Sequence, residues 1–272
     1  MKAARQAWRR LEPVHAMIYF VPEGRERYAA LGLKGMAGYF ISRSAPLGRP
    51  TAELVIATFY NFHPDRVRKG MAGGWDNVTP EAVLAARAEA AGEALRRAGV
   101  HELPGLDEVV ALTRRAAEAA TDHLQGRPLY AAHATLDWPD DPVTQLWHAQ
   151  TLLREFRGDG HIAVLVSEGV GPLEALVLHA ASGDSSPAFL KASRAWPEEE
   201  WLATEDRLRS CGLLDGETLS AEGKTFRQHI EDRTDALALP AYAALGEDGC
   251  ERLAELAAPY GRAVVDAGLM SI

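Results

Sequence analysis

Little in this chain advertises a chemistry. Of its 272 residues only Cys211 and Cys250 are cysteines, too few and too far apart for a disulfide framework or a paired-cysteine metal site. A reducing, cytoplasmic setting is therefore expected. No apolar run reaches about 18 residues, and the opening stretch MKAARQAWRRLEPVHAMIYF carries Arg9, Arg10, Glu12 and His15. Neither a membrane span nor a signal peptide is expected. Walker A, GxGxxG, HExxH and GxSxG patterns are all missing. Nucleotide-dependent, zinc-protease and serine-hydrolase readings thereby lose their support. Alternating strand patterns are missing before residue 210.

What is present is helix. TPEAVLAARAEAAGEALRRAG has Thr79 as N-cap, Pro80 at the first helical position, arginines in its last turn and Gly99 as a stop. GLDEVVALTRRAAEAATDHLQG is a second such segment, and Asp141-Pro142 opens a third that should end near Gly158. Past residue 170 the pattern shortens to three helices, then LLDGETLSAEG, two short strands around Asp215-Gly216, then closing helices. The expected fold is mainly α: an N-terminal helical bundle over 1–168, then a winged helix with a short β-hairpin wing and closing helices over 169–272.

The stretch LRSCGLLDGETLSAEGKTFRQHIEDRTD resembles the end of the recognition helix, the wing and the following helix of MarR-type regulators, with Leu219, Ser220 and Gly223 in the typical spacing after the wing. The whole chain is similar to an actinobacterial helix-turn-helix family of unknown function, through LEPVHAMIYFVPE, ATFYNFHP and LREFRGDGH. The resemblance implies a winged helix and, because MarR-type proteins are dimers, a homodimer. It implies no activity.

Charge argues against the usual use of such a fold. Residues 1–70 hold 12 Lys+Arg against 5 Asp+Glu, whereas residues 171–272 hold 9 against 18. The expected recognition segment, Pro197 to Cys211, has five acids, three of them the run Glu198-Glu199-Glu200, and two arginines. DNA binding needs cations facing phosphates, so a DNA partner is doubtful.

Candidate site residues come from three places. On a helical wheel of Pro142 to Arg157, His148 falls on a polar face with Thr151 and Glu155, and is expected to face solvent. Gln150, Arg154 and Arg157 fall inside the apolar arc, where a guanidinium needs a partner. Gly158 and Gly160 then suggest a tight turn, with Asp159 capping the next helix and His161 in its first turn. This corner is a candidate anion-binding or catalytic site. In the first helix His15 lies mid-way along the apolar face defined by Trp8, Leu11, Val14 and Ile18, three residues after Glu12 and four before Tyr19. Glu12 and His15 have the i, i+3 spacing found in one half of a di-iron carboxylate site, but no second Glu-x-x-His exists. A single metal held by His15 with His133 or His161 stays open, as does a haem. Finally TFYNFHP places Tyr60 and Asn61 among aromatics, as a pocket lining or a capped core. The leading expectation is a regulator-derived protein binding a small anionic or aromatic ligand between its two parts. The alternatives are an enzyme on the same pocket, with His15 or His161 as base, and a DNA-binding regulator.

Overall fold

The computed structural model describes residues 2–270 and is mainly helical. The helices are α1 (Lys2–Ala16), α2 (Pro22–Ala30), α3 (Met36–Ser44), α4 (Ala52–Phe59), α5 (Pro64–Met71), α6 (Pro80–Arg97), α7 (Leu106–Ala119), α8 (Pro128–His133), α9 (Pro142–Ser167), α10 (Pro172–Ala181), α11 (Pro187–Arg194), α12 (Glu198–Ser210), α13 (Ala221–Ala243) and α14 (Gly246–Asp266). Between α12 and α13 lies a hairpin of β1 (Leu214–Asp215) and β2 (Thr218–Leu219).

Proline starts seven of these helices, at α2, α5, α6, α8, α9, α10 and α11. The first turn has no use for the missing N–H, and the fixed φ already suits a helix. Side-chain caps add to this where the sequence suggests them. Thr79 accepts from the Ala82 amide at the head of α6, and Asp141 accepts from the Thr144 amide at the head of α9.

Three apolar cores result. The first joins α1, α6, α7 and the first half of α9 to Tyr242 of α13 and Leu253, Ala257, Tyr260 and Val264 of α14. The second gathers Phe40, Val55, Phe59, Phe62 and Val67 around α3 to α5. The third belongs to the winged helix, where Leu176, Leu190, Trp201, Leu208 and the wing residues Leu214 and Leu219 meet Val164 and Leu165 at the far end of α9. Of the closing helices, α14 groups with the bundle rather than with the winged helix. Helix α14 lies along α1, and α13 reaches from the third core at Ile230 back to the first at Tyr242.

The order α10, α11, α12, β1, β2, α13 is that of a winged helix. Leu214 pairs with Leu219 and Asp215 with Thr218, antiparallel. The Ser-x-x-Gly spacing after the wing has a physical reason. Ser220 Oγ accepts from the Gly223 amide and donates to the Gly212 carbonyl. A Cβ at Gly223 would stand 2.0 Å from the Leu213 carbonyl oxygen, so only glycine lets α13 start against the wing.

Three expectations about α9 are corrected. The helix does not turn at Gly158 and Gly160; it runs unbroken to Ser167. Two mid-helix glycines cost about 2 kcal/mol together relative to alanine, and packing on both sides of α9 outweighs that. Gly160 instead makes room: a Cβ there would lie 2.8 Å from Arg127 Nη1. The Arg127 guanidinium crosses α9 at this point, donating to the carbonyls of Phe156 and Leu237 and stacking 3.7 Å from the centre of the Phe156 ring. Asp159 caps a helix, though not the one expected. Its carboxylate accepts from the Tyr130 amide, 2.9 Å away, in the first turn of α8. His148 is likewise buried rather than solvent-facing, edge-on to Trp138 with ring centroids 4.8 Å apart. Helices α1, α6, α7, α8 and α13 all pack on α9, so its polar stripe has no water to face.

Candidate functional site

A cavity of about 910 Å³ opens between the bundle and the winged helix. Its walls come from α3, the α4–α5 junction, the middle of α9, helices α10 and α11, and α13. The segment Tyr60 to His63 clasps the two parts together. Tyr60 Oη donates to the Val170 carbonyl. The Asn61 carbonyl accepts from Trp196 Nε1 at 3.0 Å, Asn61 Oδ1 accepts from Arg194 Nε at 3.2 Å, and the His63 amide donates to the Arg194 carbonyl at 3.0 Å. Tyr60 (φ 58°) and Ala195 (φ 59°) are the two non-glycine residues with left-handed backbone among the described residues, and they flank this clasp. Such strain persists only where surroundings enforce it.

Six arginines line the cavity: Arg25, Arg43, Arg66, Arg154, Arg194 and Arg227. Three are paired with acids. Arg43 donates to Glu155 at 3.2 Å and to Tyr39 Oη at 3.3 Å, with its guanidinium 4.3 Å from the centre of the Phe59 ring. Arg154, 28% exposed, pairs with Glu12 over the Tyr19 ring. Arg227 pairs with Asp184 at 2.6 Å. Arg194 meets only the neutral oxygens of Asn61 and Ser193, and stacks 4.4 Å from the centre of Phe62. The Nε of Arg66 is buried without a partner. Among the described residues neither Arg66 nor Arg194 forms an ion pair. Burial first, then the neighbouring Arg43 and Arg66, pushes the Arg194 guanidinium below its ordinary pKa. Glu155 works in the other direction. Burial opposes its charge, but Arg43 and Arg154 together hold its carboxyl down to about 2. Its Oε1 is buried and unpartnered.

Behind this wall lies a neutral hydrogen-bond chain. Thr151 spends its hydroxyl proton on the Trp147 carbonyl at 2.9 Å. It must therefore accept from His15 Nδ1, 2.8 Å away, which leaves His15 Nε2 to accept from Tyr19 Oη at 2.9 Å. His15 is fully buried, as the wheel of α1 places it, and burial holds its pKa well below the ordinary value. Burial also pushes the Tyr19 phenol up to about 12, so the whole chain is neutral at physiological pH.

Of the residues singled out in the sequence, Tyr19, Tyr60, Asn61, Arg154, Asp159 and His161 line one cavity. His15 touches it through Tyr19. Gln150 and His133 are buried in the bundle, away from that lining. Arg157 pairs instead with Glu231 at 2.8 Å and Asp235 at 3.0 Å, over the Trp8 ring, where Arg5 joins the same two acids. His15, His133 and His161 do not assemble a metal centre; no group of three or more His, Cys, Asp or Glu among the described residues could hold an ion. Burial pushes Asp159 up to about 6. Sequence reasoning missed Arg43, Arg66, Arg194 and Glu155. The signals were there: Arg43 interrupts the apolar run YFISRSAPL, and Glu155 lies next to Arg154.

A model of a helix-turn-helix family matches residues 4–271, nearly the full length. The chain belongs to that family. No curated protein and no solved structure matches the chain. A helix-turn-helix is a DNA-binding type of domain, so the surface of α12 matters. Its exposed face carries Glu198, Glu199, Glu200 and Asp206. Of its two arginines, Arg207 pairs with Glu174 and Arg209 with Glu205 and Asp206. No helix among the described residues is long and apolar enough to cross a membrane by itself.

Proposed function

We propose that this helix-turn-helix protein binds a small anionic, aromatic ligand in the cavity between its bundle and its winged helix. In this reading a MarR-like domain has turned from reading DNA to walling a pocket, and the protein acts as a ligand sensor. The supporting observation is the pair Arg66 and Arg194, which face one cavity from the bundle and the winged helix without a carboxylate of their own. A guanidinium is always charged, and an uncompensated one in a partly buried site is costly. A ligand carboxylate or phosphate supplies the missing charge in fork geometry. The rings of Tyr39 and Phe189 supply aromatic wall, with Phe59 and Phe62 behind the guanidinium groups of Arg43 and Arg194. The acidic, internally neutralised face of α12 favours this over DNA binding.

The test is thermal stability against a panel of aromatic carboxylates, naphthoate and terephthalate among them. At a hundred times its Kd a ligand stabilises by about 2.7 kcal/mol, an easily measured rise in Tm. The rise is expected to vanish in Arg66→Ala/Arg194→Ala. An equal rise in that variant, or none in either protein for any aromatic anion, contradicts the proposal. An enzyme on the same pocket is the second reading. It is favoured by the chain from Thr151 through His15 to Tyr19, which delivers an oriented phenol to the cavity wall. Turnover lost in Tyr19→Phe with binding retained would identify it.

A further inference from the structure

His161 has a fixed tautomer with one nitrogen left over. Its Nδ1 lies 2.9 Å from Thr234 Oγ1. Thr234 spends its own proton on the Ile230 carbonyl, 2.8 Å away, so it must accept from His161. The proton is therefore on Nδ1, and Nε2 carries a lone pair. Among the described residues nothing bonds to Nε2, and His161 lines the cavity. Burial pushes its pKa down to about 4, which keeps the ring neutral near pH 7. His179, also on the wall, is set the opposite way. Its Nδ1 accepts from Arg227 at 3.3 Å, so its proton sits on Nε2 and it offers no lone pair.

This is how a metal-ligating histidine is held: the far nitrogen donates to an outer oxygen, the near one is free. Yet among the described residues it belongs to no group of three or more side chains that could hold an ion. A bare ion of the zinc type needs three or four protein ligands. A metal that brings its own equatorial donors needs one. Resting on the anionic, aromatic ligand reading above, we propose that the cavity takes an iron porphyrin, with His161 Nε2 as the axial ligand and Arg66 and Arg194 facing its carboxylates. A proximal histidine is a common way to hold haem iron. The macrocycle is flat and aromatic and carries two carboxylates, which match the lining of Tyr39, Ile162, Leu165, Leu178 and Phe189 and the guanidinium groups of Arg66 and Arg194. The outer partner of His161 is a hydroxyl and not a carboxylate, so the axial ligand is a neutral imidazole.

The full-length protein titrated with hemin and, separately, with metal-free protoporphyrin tests this. One hemin per chain is expected, with a Soret band displaced from that of free hemin. His161→Ala should abolish the coordinated spectrum and weaken hemin at least tenfold, while leaving metal-free protoporphyrin unchanged. His161→Gln keeps a donor toward Thr234 and serves if the alanine variant melts early; it too should lose the spectrum. His161→Gly should regain it with added imidazole. Arg66→Ala/Arg194→Ala should weaken both porphyrins about tenfold or more. Hemin spectra that are the same in the wild type, His161→Ala and His161→Gln, or no displaced Soret band in the wild type, overturn the porphyrin assignment. If naphthoate still stabilises the protein in an arginine-dependent way, only that assignment falls. If naphthoate fails as well, the anionic-ligand reading falls with it.

Discussion

Gly158 and Gly160 sit two residues apart, and the same substitution at each should have opposite effects. In an unbroken α9 the Cβ of Gly158→Ala meets only Glu155 Oε2, at 3.6 Å, an ordinary contact. Alanine then gains its helix preference, roughly 0.5–1 kcal/mol of stability. At Gly160 the same methyl lands 2.8 Å from Arg127 Nη1 and 3.4 Å from Leu237 Cβ. The guanidinium must withdraw from two carbonyls, each a charge-assisted bond worth about 1.5–3 kcal/mol. The side chain is flexible and recovers part of this, and the helix preference offsets about 1 kcal/mol more. A net loss of about 1–3 kcal/mol is expected. Chemical denaturation with a shared m-value reads both. Each kcal/mol should move Tm by roughly 2–4 °C in a chain of about this size. If instead the chain turned at this point with left-handed glycines, both alanines would destabilise. That result would refute the continuous helix and the placing of Arg127 across it.

Asp159→Asn keeps an acceptor for the Tyr130 amide and removes a desolvated charge. The folded carboxyl titrates near 6, above its ordinary 3.8, so the native state binds the proton more tightly. Wild-type stability should therefore fall as pH rises from about 4 to 6, by at most about 2–3 kcal/mol, and urea midpoints of Asp159→Asn should lose this slope. Arg157→Ala breaks a largely buried pair with Glu231 and Asp235 while Arg5 remains, so a loss of about 2–4 kcal/mol is expected, with naphthoate binding retained; unchanged stability, or loss of ligand binding in a folded variant, would refute the structural role. Random duplex DNA should bind more weakly than about micromolar at near-physiological salt; tighter, salt-sensitive binding in a gel-shift assay would refute the discounting of α12.

Local rules carried much of the fold. Thr79-Pro80 and Asp141-Pro142 start helices where their caps and prolines indicate, and Leu219, Ser220 and Gly223 mark the wing. These features are decided within a few residues of sequence. The continuity of α9 was not legible, because Gly158-Asp159-Gly160 reads locally as a stop and only packing by Arg127 and its neighbours overrides it. The same enclosure buries His148, Thr151 and Glu155, which a single-helix wheel puts in solvent. The site was half legible. Tyr19, Asn61, Arg154 and His161 stood out because each breaks an apolar pattern or flanks one. Arg66 and Arg194 did not, since each lies among other polar residues on a short helix. What brings them to one cavity is tertiary: the Asn61 clasp on Arg194, across 133 residues of sequence.

The most direct measurement is a crystal structure of the protein soaked with a brominated naphthoate, read by the anomalous signal of the bromine. One strong peak is expected inside the cavity between α3, α9 and α11, with the carboxylate within hydrogen-bond distance of Arg66 and Arg194. A peak elsewhere on the molecule, or an empty cavity under conditions where calorimetry shows one ligand bound per chain, would contradict the assignment of this cavity as the ligand site.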